Sequence, residues 1–149
     1  MATLKEQFSN ADRRNSLVDD AVKVLDQEVA DKSGLTGMAI KGAYKLVQGM
    51  RPGFVRHTVD SLLDDFLEAL EPVYLEASEK KRPAGTYLLE QRDRVADALL
   101  SVTDKKAERA QSASLKSAYS KLRPMAKKQV DAAAPRLATL IDRHTTPTG

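Results

Sequence analysis

Cysteine and tryptophan are absent from the chain, and aromatic residues make up only 5% of its 149 residues. Without cysteine, the chain has no disulfides, no thiolate metal ligands and no thiol catalysis. With so few aromatic side chains, any core must be built from Leu, Val, Ile, Ala and Met. Because Leu and Ala in this set are strong helix formers, the composition favours a helical protein.

Long hydrophobic runs are also missing. No apolar run approaches the roughly 20 residues that a helix needs to span a bilayer, so no transmembrane segment is predicted. The first ten residues, MATLKEQFSN, lack the apolar region of a secretory signal. These features together predict a cytoplasmic protein.

Charge is divided unevenly along the chain. Residues 1–75 carry nine Lys/Arg and twelve Asp/Glu, a net charge of −3, whereas residues 76–149 carry fifteen and nine, a net charge of +6. This division indicates either an anionic partner for the second half or attraction between the two halves. We expect one acidic helix face to be solvated or to pair with the basic half. It comprises Asp60, Asp64, Asp65, Glu68 and Glu71.

Apolar residues recur at helical spacing through most of the chain, and no alternating pattern persists long enough to predict a strand. The sequence therefore predicts an all-α protein, a single compact bundle of five to seven helices. Residues 1–144 form the predicted domain, and residues 145–149 form a predicted flexible C-terminal tail.

Caps and breakers predict where individual helices begin and end. The sequence TLKE over residues 3–6 has the form of a capping box. Pro72 is expected to end or kink its helix, and a single helix is expected over about 86–110. Pro124 is expected to follow a short helix, and Pro135 to kink the last helix or to start a new turn.

The segment 35–50 is apolar almost all round the predicted helix, with only Lys41, Lys45 and Gln48 in a narrow polar stripe. A helix with this pattern is typically buried by its neighbours, so we expect it to be the central helix of the bundle. Gly42 is expected to allow another helix to approach closely, at a cost in helix propensity of roughly 1 kcal/mol.

Residues suited to catalysis are few. His57 and His144 are the only histidines, and His57 precedes Asp60 and Asp64 at helical spacing. Such a group could hold a divalent metal or supply a general base. Neither histidine, however, has the glutamate three residues before it that paired metal sites in bundles use, and no phosphate-binding loop is present. We predict no enzymatic activity, no catalytic or metal-binding residue, no cofactor and no small-molecule substrate.

A dense basic segment over residues 105–128 is the best candidate for ligand binding. It has a net charge of +7, because it contains eight Lys/Arg and only one acidic residue, Glu108. This density could neutralise phosphates of nucleic acid or of anionic lipid. Only Tyr119 could stack on bases, and internal pairing or simple solvation explains the charge equally well. The candidate anion-binding residues are Lys105, Lys106, Arg109, Lys116, Lys121, Arg123, Lys127 and Lys128.

A second, shorter pattern concerns DNA. Residues 29–40 resemble the turn of a helix-turn-helix motif, with Ala30, Gly34 and Ile40 at its small, turn and apolar positions. In that motif the second helix enters the major groove through its outer face. Because the helix after Gly34 is apolar nearly all round, a glycine-containing turn between packed helices is favoured over DNA binding.

Longer stretches of the first half carry a family resemblance. They are KSGLTGMAIKGAYK at 32–45, RPGF at 51–54 and LEPVY at 70–74. Over these stretches the chain resembles a bacterial family of small all-helical proteins of unknown function. The resemblance implies a bacterial source, and it supplies no activity and no site residues.

The features above predict a non-enzymatic interaction or scaffold protein, with self-association as one form of that interaction. Binding of DNA or another polyanion through residues 105–128 is the first alternative. Peripheral binding to a membrane or another apolar surface through an amphipathic helix is the second. The partner is thus expected to be a protein, a second copy, nucleic acid or anionic lipid.

Overall fold

The computed structural model describes residues 3–145, which form seven α-helices and no strand. The helices, in chain order, are α1 Leu4–Gln7, α2 Ala11–Asp31, α3 Gly34–Gln48, α4 Phe54–Glu79, α5 Ala84–Glu90, α6 Arg92–Arg109 and α7 Ala113–His144. The predicted all-α bundle is confirmed. Of the predicted flexible tail, residues 146–149 lie outside the described residues.

Side-chain caps explain several of the helix starts. The Thr3 hydroxyl accepts from the Glu6 backbone N–H and the Glu6 carboxylate accepts from the Thr3 N–H, so the predicted capping box is present. Asn10 caps α2 by accepting from two backbone N–H groups. Ser112 caps α7 by accepting from the Leu115 N–H, at 3.2 Å.

Three prolines lie inside helices rather than at their ends. Pro72 lies within α4, and Pro124 and Pro135 lie within α7, so the predicted end of the short helix at Pro124 is wrong. All three prolines are solvent-exposed. On that side of a helix, water can satisfy the carbonyl that a proline leaves without its N–H partner.

The helix predicted over 86–110 is divided in the structure. It forms α5 and α6, with Gln91 at φ −98° and ψ 25° between them. No glycine or proline marks this division, so the pattern of the sequence did not reveal it. Because α5 and α6 are separate helices, α5 can pack against α7. There the Gly85 backbone N–H donates to the Asp142 carboxylate at 2.8 Å.

The core is formed by every helix except α3. Its largest fully buried side chains are Tyr74, Phe8, Leu4 and Val18. The Tyr74 hydroxyl also accepts a hydrogen bond from the Gln7 side-chain amide at 3.0 Å. This hydrogen bond gives the buried hydroxyl a partner in place of water. Two of these four residues come from the short N-terminal segment, so α1 is an anchor of the core.

The prediction that the apolar helix is central is wrong. The helix forms as α3, but Gly37 is its only buried residue. It packs at the edge of the bundle against parts of α2, α4 and α7. An added Cβ at Gly42 would meet no atom within 4 Å, so no helix approaches closely there. The core is filled instead by apolar residues of the other six helices together with Phe8.

Candidate interaction surface

Large apolar side chains of α3 are exposed along one face of the helix. The exposed fraction is 87% for Leu35, 70% for Met38, 51% for Leu46 and 39% for Met50. Leu35, Met38 and Leu46 are separated by three and eight residues, which places them on one side of α3, and Met50 lies two residues beyond the end of the helix. We call these four residues the α3 apolar face.

The inner side of α3 holds the helix on the bundle. Ile40, Tyr44 and Val47 are half-buried there. The Tyr44 hydroxyl donates to the Asp26 carboxylate of α2. Burial, and then this hydrogen bond to Asp26, raise the pKa of the Tyr44 hydroxyl well above its ordinary value of 10.0. The tyrosine therefore stays protonated and keeps donating over the physiological range.

Two glycines with positive φ lie on either side of α3, one at its first residue and one in the connection to α4. Gly34 has a φ of +71° and follows the two-residue connection from α2, while Gly53 has a φ of +72° and precedes α4. Both lie in the left-handed region that glycine adopts without strain. The turn at Gly34 is tight, because an added Cβ at Gly37 would lie 2.7 Å from the Lys32 carbonyl carbon.

A groove runs between α3 and the N-terminal half of α7. Its volume is about 660 Å³, and it is open to solvent. Small residues of both helices line it: Ala39, Gly42, Ala43, Ala113, Ser117 and Ala118. Met38 and Leu46 of the α3 apolar face also line it, together with Lys121 of α7.

A second groove lies at the start of α3, with a volume of about 530 Å³. Lys32 and Lys128 line it, along with Thr36, Pro124 and Met125. No carboxylate lines either groove among the described residues. The surroundings of the α3 apolar face on the α7 side are therefore basic.

The basic segment 105–128 makes little use of internal ion pairs. Arg123 pairs with Asp104 at 2.8 Å, and Lys127 pairs with Asp97 at 3.2 Å. Within residues 3–145, no ion pair involves the other six cations, all of which are exposed. They are Lys105, Lys106, Arg109, Lys116, Lys121 and Lys128. Both carboxylates that pair with the segment belong to α6, so among residues 3–145 no ion pair joins the segment to the acidic first half.

Asp104, the residue just before this segment, is the centre of a polar cluster with Tyr119 and Arg123. It accepts from the Arg123 guanidinium and from the Tyr119 hydroxyl. Hydrogen bonding to Arg123, and then to Tyr119, holds the pKa of the Asp104 carboxyl below its ordinary value of 3.8. Arg123 is thus committed to a structural contact rather than left free for an external anion.

The acidic face of α4 finds partners mostly in the first half. Arg14 of α2 pairs with Asp60 at 3.0 Å and with Asp64 at 2.8 Å. Lys5 pairs with Glu68 at 2.7 Å. Of the two alternatives expected for this face, solvation or pairing with the basic second half, the second is wrong for these three carboxylates, because they pair with cations of α1 and α2.

The two histidines lie in different surroundings. His57 is exposed near the start of α4, whereas the His144 side chain is only 10% exposed and hydrogen-bonds the Asp20 carboxylate of α2 at 2.5 Å. No cluster of three or more His, Asp or Glu side chains suited to a metal occurs among residues 3–145. Sequence spacing did not reveal the Asp20–His144 contact, because its residues are 124 positions apart.

Sequence reasoning identified the basic segment but missed the α3 apolar face. The missed signal is the uniform apolarity of α3, which is typical of a buried helix and equally of a helix that binds something outside its own chain. No helix in the described part of the chain is long and apolar enough to cross a membrane.

Comparisons with known proteins place the chain in a family without an assigned activity. We find no match to it among curated proteins or among solved structures. The sequence pattern of one family matches residues 4–145, which covers all seven helices. This chain belongs to that family, described as a family of unknown function (DUF6918).

Proposed function

We propose that this protein is a non-enzymatic interaction protein that binds its partner through the α3 apolar face. The observation that carries the proposal is the exposure of Leu35, Met38 and Leu46 on one face of α3 and of Met50 just beyond its end. Scattered exposed apolar residues are ordinary, but a contiguous exposed apolar face marks a binding surface. The adjoining groove on α7 extends this surface beyond α3.

The test is whether a bound partner covers the α3 apolar face inside the cell. Hydroxyl-radical footprinting would compare the chain in intact source cells with the purified chain. We expect labelling of Met38 and Leu46 to fall in cells, because a bound partner excludes solvent from them. Leu75 of α4, which is 45% exposed, serves as the matched control and should label equally in both. Equal labelling of the α3 apolar face in both samples would refute the proposal.

Polyanion binding through residues 105–128 is a second candidate. It is supported by the six exposed cations that have no ion-pair partner within the described residues. Binding to heparin or duplex DNA should weaken steeply with added salt, since each phosphate contact releases counterions. The variant Lys105→Gln/Lys106→Gln should weaken it further than Lys23→Gln does on α2. No retention on heparin at low salt would eliminate this candidate.

A further inference from the structure

The α3 apolar face lies in a long stretch of sequence that has no acidic residue. From Lys32 to Val59 the chain carries five Lys/Arg and no Asp or Glu. The stretch includes all of α3 and both of its connections. Any surface that covers α3 therefore meets positive charge beside the apolar residues.

The lysines lie along both edges of the α3 apolar face. Lys41 and Lys45 follow Met38 by three and seven residues, which places them on the Met38 side of the helix. Lys121 and Lys128 of α7 line the grooves on the other side. Long lysine stems can lie along an apolar surface while their ammonium groups reach outward to anions.

This arrangement is suited to one kind of partner. We propose that the α3 apolar face docks on the surface of a membrane that contains anionic lipids. The inference rests on the proposed function and names its partner. Leu35, Met38 and Leu46 enter the boundary between headgroups and acyl chains, with α3 lying flat in the plane, and the flanking lysines contact lipid phosphates.

Charge favours this partner over a second copy of the chain. A two-fold contact between two α3 faces would bring together two copies of the same lysine-edged surface, whose own stretch of sequence and groove linings carry no Asp or Glu. Like charges facing each other oppose association, whereas anionic headgroups attract the same lysines. Duplex DNA would satisfy the lysines but would leave the apolar residues exposed to water.

The test is flotation of the full chain with large vesicles, either of phosphatidylcholine alone or of phosphatidylcholine mixed with phosphatidylglycerol. We expect partition into the mixed vesicles only, with a steep decrease as salt is added. Lys41→Gln/Lys45→Gln should lower the partition coefficient about 25-fold, at about fivefold per lysine. The control Lys23→Gln/Arg92→Gln removes the same charge from exposed positions outside α3 and should change it by less than about threefold.

A second pair of variants tests the apolar contribution. Leu46→Gln should lower partition by about tenfold or more, whereas the matched Leu75→Gln on α4 should leave it unchanged. Circular dichroism of each variant would show that the fold is retained. Loss of partition by Leu46→Gln but not by Leu75→Gln supports docking through α3.

Several results would overturn the proposal. They are the absence of partition into mixed vesicles, equal partition into neutral vesicles, and equal losses for the two charge variants. A concentration-dependent dimer that Leu46→Gln abolishes, without vesicle binding, would assign the face to a second copy. Absence of vesicle binding together with protection of Leu46 in cells would refute the lipid partner alone. Equal labelling in cells would refute the proposed function itself.

Discussion

Single residues show how local geometry decides what a substitution does. Gly85 and Gly42 are both helical glycines, in α5 and α3 respectively, but their surroundings differ. An added Cβ at Gly85 would lie 2.5 Å from the Ala138 carbonyl oxygen, whereas one at Gly42 would meet nothing within 4 Å. The Asp142 carboxylate also lies against this position and could move, but the Ala138 contact is with backbone, which cannot move aside as a flexible side chain can.

Alanine at these two positions should therefore have opposite effects. Gly85→Ala should lower the free energy of unfolding by about 1–3 kcal/mol, because α5 must move away from α7. Gly42→Ala should raise it by about 0.5–1 kcal/mol through helix propensity alone. Urea denaturation followed by circular dichroism would measure both. Destabilisation by Gly42→Ala would mean that a closely packed helix covers that position in solution.

The Asp104 cluster predicts a pH dependence of stability. Its pKa is lower in the folded chain than its ordinary value of 3.8, chiefly through Arg123, so the unfolded chain binds the proton more readily. The stabilisation is present above pH 3.8 and is lost as the pH falls through the lower folded value. Asp104→Asn should therefore reduce the decrease in stability in acid, measured as thermal midpoints between about pH 5 and 2. An unchanged pH profile would contradict this role.

At the scale of elements, α3 differs from every other helix of comparable length. Its uniform apolarity predicted burial, yet the structure leaves its outer face exposed and buries only Gly37. Periodicity along one helix reports how much of its surface is apolar, and it does not report how many neighbours are available to cover that surface. The N-terminal half of α7 lies beside α3 but leaves an open groove between them.

Leucine-to-alanine changes on α3 and α4 should separate these two environments. Leu46 is 51% exposed and Leu67 is 2% exposed. Leu67→Ala should cost about 2–5 kcal/mol of unfolding free energy, since it leaves a cavity. Leu46→Ala should stay within about 0.5 kcal/mol, as surface changes usually do. A comparable cost for both, measured by urea denaturation at low protein concentration, would show that the α3 apolar face is buried within the monomer.

At the scale of the whole molecule, contacts between residues distant in sequence join the helices near the two ends of the chain to each other and to α4. Arg136 of α7 pairs with Glu28 of α2 at 2.9 Å, and the Leu4 backbone N–H donates to the Glu71 carboxylate of α4 at 2.7 Å. Phe8 is 1% exposed within this arrangement. Its ring also lies under the Arg13 guanidinium, 5.3 Å from the ring centroid.

The N-terminal segment should therefore matter to the entire fold. Phe8→Ala should lower the free energy of unfolding by about 3–5 kcal/mol, because it removes a fully buried aromatic ring. Calorimetry and circular dichroism would measure the loss, and Phe8→Leu should recover most of it by restoring apolar volume. A cost below about 1 kcal/mol would mean that residues 4–8 are not part of the core in solution.

The sequence by itself determined the helical class, the capping box at Thr3, the positions of most helices and the basic segment near α7. Those features depend on local spacing and on side chains within a few residues of each other. Only the tertiary structure decided that α3 lies at the edge, that α5 and α6 are separate helices, and that Asp20 meets His144. Each of these depends on which surfaces, distant in sequence, pack together in the core. Where other helices already fill the interior, an apolar helix such as α3 is left at the edge.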